Sequence, residues 1–150
     1  LVDIYLRARR LNSSIKLNLI GRRGDRFNKT SVGIHWRGSL NANDLIEVAR
    51  ETNLLVSASK AESAGLTVRE FGSLGVPSIA IRAGGIENLI EDGFSGFLVD
   101  DEAGLEQKLT DLASGRIQVS DLRTRALEIS LNNKPEIIGQ IYKDLYSSIH

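Results

Sequence analysis

Apolar positions along this chain alternate between two rhythms. Leu1, Val2, Tyr5, Leu6 and Leu11 recur near the helical period and predict a helix ending at Leu11, its beginning outside the chain. Ile15 to Gly21 alternates apolar and polar residues and closes on glycine, a short strand followed by a turn at Gly21–Asp25. Val32 to Trp36 predicts the next strand, ending at Gly38. Asn41 or Asn43 caps a helix carrying Leu45, Ile46, Val48 and Ala49. The Asn53–Ser57 segment is then apolar on consecutive residues, the mark of a strand covered on both faces.

The alternation continues with a helix over Gly65–Leu74, a strand over Pro77–Ile81, a short helix over Ile86–Glu91, a turn at Asp92-Gly93 and a strand over Gly96–Val99. Helices close the chain, roughly Glu102–Ala113, Asp121–Leu131 and Pro135–Ile149, with Pro135 suited to a first helical turn. Strands alternating with helices imply right-handed βαβ units. The expected fold is α/β, a Rossmann-like, doubly wound parallel sheet of about five strands, with the first βα unit missing ahead of Leu1.

At 150 residues the chain has the length of one domain. Its 41% hydrophobic and 25% charged residues exclude a disordered or coiled-coil chain. Lys plus Arg and Asp plus Glu number 19 each, so no net field draws the chain to nucleic acid, and a small-molecule partner is favoured. The absence of cysteine excludes disulfides and thiolate metal sites, and two histidines, His35 and His150, cannot build a histidine-rich one. No run of about 18 apolar residues is present. The chain holds no methionine and starts at Leu1, which suits a fragment of a larger protein.

In open parallel sheets ligands sit outside the carboxyl ends of the strands, so loops that follow strands carry the chemistry. Ser59–Ala64 follows one strand and opens the helix at Gly65; Ala83-Gly84-Gly85 follows the next and opens the helix at Ile86. Gly65 would admit a ligand close to the backbone, and the first-turn amides carry about half a positive charge, which suits phosphate. Glu62 precedes that turn and Glu70 lies inside the helix, eight positions on. One ligand can therefore meet a carboxylate, then amides, then a second carboxylate. A nucleoside diphosphate sugar has this layout of sugar hydroxyls, phosphates and ribose hydroxyls, and carboxylates accept paired hydroxyls well.

These residues resemble the C-terminal, donor-binding domain of the retaining glycosyltransferases of GT-B fold, in the family 4 group. The likeness rests on Glu62-Ser63-Ala64-Gly65-Leu66, Glu70, Gly75-Val76-Pro77, Gly84-Gly85 and Asp92 to Val99, with Leu17–Gly21 and Ile34–Gly38 upstream and Tyr142–Tyr146 near the end. The family's pattern is a glutamate, seven residues and a second glutamate. The resemblance implies that residues 1–150 are one lobe of a GT-B enzyme, the acceptor-binding N-terminal domain lying elsewhere in the same protein. It implies that Glu62 is the catalytic-site residue holding donor-sugar hydroxyls, that Gly65 and Leu66 amides bind phosphate, and that Glu70 takes the ribose hydroxyls. Gly38 would lie near the nucleobase, and Gly84 and Gly85 beside the sugar and phosphates. The donor would be UDP- or GDP-linked, with no bound metal or other cofactor. The expected location is the cytoplasm, where nucleotide sugars are made, and any peripheral membrane attachment would have to come from the other half. The family's Arg and Lys that grip the diphosphate would precede Leu1.

Plainer readings stand beside these. Arg82 suits a surface ion pair as well as a phosphate contact; Arg69 reads as a solvated helix residue, Arg22-Arg23 as an exposed turn, and His35 as a hydrogen-bonded structural histidine. Leu45, Val48, Phe71 and Leu74 read as core. The alternative function is a non-catalytic GT-B-like module, favoured by Ser63, Ala64 and Asn88 where the family has glycine, phenylalanine and glutamate. A hydrolase would set its two carboxyls about 5–9.5 Å apart across a sugar bond, whereas here a helix start lies between them. No G-x-G-x-x-G follows a strand, which argues against a nicotinamide domain.

Overall fold

The computed structural model describes residues 1–21 and 32–132, together with 136, 137, 139, 143, 144 and 147. Arg22-Arg23, the Tyr142–Tyr146 likeness and the bulk of the helix expected over 135–149 lie outside the described residues.

Along the chain run α1 (Val2–Leu11), β1 (Leu17–Ile20), β2 (Ile34–Gly38), α2 (Ala42–Arg50), β3 (Leu55–Ser57), α3 (Leu66–Ser73), β4 (Ser78–Ile81), a single 3-10 turn (Gly84–Asn88), β5 (Gly96–Val99), α4 (Glu102–Ala113) and α5 (Ser120–Asn132). The short helix expected over Ile86–Glu91 is thus a 3-10 turn that starts two residues earlier. Of the two candidate caps on α2, Asn41 is the one used: its Oδ1 accepts from the Asp44 amide at 3.0 Å. Asp101 caps α4 in the same way, accepting from Gly104 N at 2.8 Å. Both satisfy first-turn amides that the helix itself cannot.

Every strand pairing among the described residues is parallel, and these strands fall into two sheets. β1 pairs with β2, and β3, β4 and β5 pair in that order. Helices cover both faces. Side chains alternate along β3, so Leu54 and Val56 turn one way and Leu55 the other. Leu54 and Val56 pack with Ile4 of α1, Ile79, Ile81, Phe97, Val99 and Leu105 of α4. Leu55 packs with Ala49 of α2 and Phe71 of α3, and Val68 of α3 meets Ala80 and Leu98. α1 and α4 therefore form one outer layer, α2 and α3 the other, around the strands.

β4 and β5 are buried along their whole length, whereas β3 is only half-buried. The apolar run at Asn53–Ser57 predicts a strand covered on both faces, and both faces of β3 are covered, though among the described residues one of its edges has no neighbouring strand. Two further expectations change. Leu74 is 37% exposed, because it caps α3 at its carboxyl end instead of facing inward, while Val48 and Phe71 are buried and Leu45 half-buried. Arg69 is half-buried, with Ser130 of α5 donating to its carbonyl, since α5 folds back over α3.

Candidate functional site

The carboxyl ends of β3 and β4 lie side by side because the strands are parallel, so the loops that follow them meet. Gly85 N donates to the Glu62 carbonyl at 3.4 Å. A Cβ on Gly84 would collide with the Glu62 carbonyl oxygen, and one on Gly85 with that of Ser63. Gly84 also sits at φ +50, a backbone conformation that side chains disfavour. These two glycines are therefore required for the loops to touch, a duty distinct from facing a ligand.

Gly65 caps α3 at φ +59. Its side-chain position is filled by Leu89 Cδ1, which a Cβ would approach to 2.7 Å, with Ile86 Cγ1 at 3.3 Å. The sequence reading left that space for a ligand; the structure gives it to the 3-10 turn. Glu62 turns back onto the same loop, its Oε1 accepting from Gly65 N at 3.2 Å. The carboxylate thus holds the amide that the reading assigned to phosphate. Leu66 begins α3 and is 63% exposed; a first helical amide has no intrahelical partner. Glu70 is exposed on the second turn, and its carboxylate takes no hydrogen bond or ion pair among the described residues. Gly38 ends β2 at φ +71, its carbonyl accepting from Gly21 N at 2.8 Å. It belongs to the other sheet, at the carboxyl ends of β1 and β2. The structure thus brings Glu62, Gly65, Gly84 and Gly85 into one contact, with Leu66 and Glu70 following on the helix.

Beside them lies a feature the sequence reading left aside. A cavity of about 570 Å³ is lined by Lys60, Ile81, Arg82, Asp100, Asp101, Glu102 and Ala103, at the carboxyl ends of β4 and β5. Lys60 Nζ pairs with Glu102 Oε1 at 2.9 Å, which raises the lysine pKa and lowers that of the glutamate, chiefly through the hydrogen bond. Arg82 pairs with Asp100 at 3.0 Å, with Glu87 and Asp92 farther off at 3.8 and 4.0 Å. The ion-pair reading of Arg82 holds. Lys60 stands two residues before Glu62, and that proximity was its available signal. His35 is exposed and its imidazole has no hydrogen-bond partner among the described residues, so it is not the hydrogen-bonded structural histidine expected. Among the described residues no three His, Asp or Glu side chains are placed to hold a metal ion, and no helix is long and apolar enough to cross a membrane.

Residues 2–115 match the model of the family described as glycosyl transferases group 1. The chain belongs to this family. Among its group 1 relatives, the D-inositol 3-phosphate glycosyltransferase of Corynebacterium kroppenstedtii is 36% identical over 107 residues, 67% of this chain and 24% of the relative. The sulfoquinovosyl transferase SQD2 of Arabidopsis thaliana is 33% identical over 101 residues, 65% of this chain and 19% of the relative. This glycosyl transferases group 1 chain thus spans about a quarter or less of the curated relatives it matches. Among solved structures, Anabaena HepE in complex with UDP and glucose matches with a TM-score of 0.74 at 20% identity, over 97% of this chain and 44% of the other. The pneumococcal O-GlcNAc transferase GtfA in complex with UDP and GlcNAc matches with a TM-score of 0.74 at 19% identity, over 99% and 32%. The fold is that of a Rossmann-like GT-B lobe.

Proposed function

We propose that this chain is the donor-binding lobe of a family 4 type retaining glycosyltransferase that moves a hexose-type sugar from a nucleoside diphosphate to an acceptor held by an N-terminal domain of the same protein. The observation that carries the reading is the contact of the two post-strand loops. Gly84 and Gly85 lock against Glu62 and Ser63 at the carboxyl edge, so a carboxylate, a helix start and Glu70, whose carboxylate has no partner among the described residues, follow one another along the chain. UDP is favoured as the carrier because HepE and GtfA each accompany UDP in their solved complexes.

On binding, Glu62 exchanges the Gly65 amide for hydroxyls of the donor sugar, and the Gly65 and Leu66 amides take the nearer phosphate. Glu70 accepts from the ribose hydroxyls. Gly38 lies toward the base, and the Gly84-Gly85 loop flanks sugar and phosphates. Amides and basic side chains stabilise the leaving diphosphate without requiring a metal. The whole enzyme works in the cytoplasm, with any membrane contact made through its other half.

The test is titration of UDP-glucose and GDP-mannose, followed by calorimetry and thermal shift. The chain binds one of them weakly, and Glu70→Ala weakens that binding by about 10- to 150-fold, the cost of hydrogen bonds to a charged group. Residues 1–150 alone transfer no sugar; measurable transfer by them would contradict the two-lobed reading. Failure of the complete protein to bind any nucleoside diphosphate would instead make this a non-catalytic module.

A further inference from the structure

The cavity beside Lys60 shares the carboxyl edge with the two glutamates but lies off their path. Ile81, the last residue of β4, packs in the cluster that holds Ile4 of α1 and Leu105 of α4, and Glu102 and Ala103 begin α4. α3, which carries Glu70, packs in the other layer. The cavity therefore opens on the α4 side of the sheet. The loop after β3 crosses from it, at Lys60, to Glu62 and the start of α3. A volume of about 570 Å³ is the size of a small-molecule site, typically about 300–1,000 Å³.

Its lining sets two cations against three carboxylates, and both cations are already paired. Lys60 Nζ meets Glu102 Oε1 at 2.9 Å, and Arg82 Nε donates to Asp100 Oδ1 at 3.0 Å. Each pair leaves bonding capacity over, since an ammonium carries three N–H donors and a guanidinium five. Arg82 Nη1 and Nη2 stand 3.8 and 4.0 Å from Glu87 and Asp92, beyond hydrogen-bond reach. Asp101 uses Oδ1 on the Gly104 amide, and among the described residues its other oxygen accepts nothing.

That surplus selects the ligand class. An anion would have to draw Lys60 from Glu102 and Arg82 from Asp100, then settle among three carboxylates. A cation would stand against an ammonium and a guanidinium. A neutral ligand leaves both pairs intact. A hydroxyl both donates and accepts, so neighbouring hydroxyls on one ring can bridge an unused N–H and an unused carboxylate oxygen. Hydrogen bonds to charged partners are also the strong ones. Ile81 and Ala103 add a small apolar patch on which ring C–H groups can rest, too little for a hydrocarbon ligand.

We propose that this cavity is a second carbohydrate subsite, which takes a neutral polyhydroxylated ring on Lys60, Arg82, Asp100 and Glu102. Its role rests on the donor reading: the ring is part of the acceptor, which is therefore itself a sugar or cyclitol held in part by the donor-binding lobe.

The test is saturation-transfer NMR on the complete protein with methyl α-glucopyranoside, and with cyclohexanol as a ring lacking neighbouring hydroxyls. The glycoside binds and cyclohexanol does not. Lys60→Ala and Arg82→Ala each weaken the glycoside by at least about 10-fold, the loss of a hydrogen bond to a charged group. Exposed ion pairs contribute little to stability, so both variants fold, which their melting temperatures check. Equal binding of cyclohexanol, or unchanged glycoside affinity in both variants, overturns the proposal. So does a loss in Glu62→Gln that Arg82→Ala does not share, which would put the glycoside in the donor-sugar site. UDP titrated into the same protein reads the donor site separately. Glycoside binding without UDP binding keeps the subsite and removes the donor reading, whereas UDP binding without glycoside binding overturns the subsite alone.

Discussion

Gly84 is the residue where backbone and packing requirements coincide. At φ +50, an alanine carries about 1–2 kcal/mol of left-handed strain, and its Cβ meets the Glu62 carbonyl, a backbone atom that cannot swing aside. Gly84→Ala is expected to destabilise the chain by about 2–4 kcal/mol in urea unfolding. Gly93→Ala, at φ +80 with nothing within 4 Å, should lose only the strain part. Glu62 and Glu70 separate just as cleanly. Glu62 accepts from Gly65 N, so Glu62→Ala without ligand should cost about 1 kcal/mol in thermal denaturation, as losing a helix cap does. Glu70→Ala should cost under about 0.5 kcal/mol, since its carboxylate has no partner among the described residues. The spacing of the two glutamates was readable in the sequence. That Glu62 bends back on its own loop was not, because a 3.2 Å contact depends on the loop path.

At the level of elements, exposed ion pairs bind α4 to its surroundings. Glu102 pairs with Lys60 in the loop after β3, Glu106 with Arg7 of α1, and Asp111 with Arg116 beyond the helix end. In each, the hydrogen bond to the basic partner is the main cause that holds the carboxyl below its ordinary value of 4.5 or 3.8. A lowered folded-state pKa means stabilisation that is complete above the unfolded value and lost as pH falls through the folded one. The melting temperature should therefore hold steady from about pH 7 to 5 and fall below about pH 4.5, and 1 M NaCl should flatten that fall by screening exposed charges. The partners themselves were not legible: Arg7 and Glu106 are far apart in sequence, and only the packing of α1 on α4 brings them together. The expected bounds of α4, Glu102–Ala113, are those observed, and the Asp101 cap that fixes its start is seen in the structure.

For the whole molecule, burial grades from one side of the sheet to the other. β4 and β5 are buried throughout, β3 is half-buried, and β2 is largely exposed. Opening should follow that order, so amides of Ile79–Ile81 and Phe97–Val99 are expected to exchange slowest and those of His35–Arg37 fastest, as native-state hydrogen exchange by NMR will show. The sequence by itself determined the order of strands and helices, the parallel class, a cap on α2 at Asn41 or Asn43, and the places of the loops that follow β3 and β4. Each of these follows from local period, turn residues and the rule that ligands gather at strand carboxyl ends. Only the tertiary structure decided that the strands divide between β1 and β3, that Gly84 and Gly85 serve loop contact, and that Leu89 fills the space beside Gly65. Those outcomes depend on which distant segments meet, and periodicity along a chain carries no record of its neighbours across space.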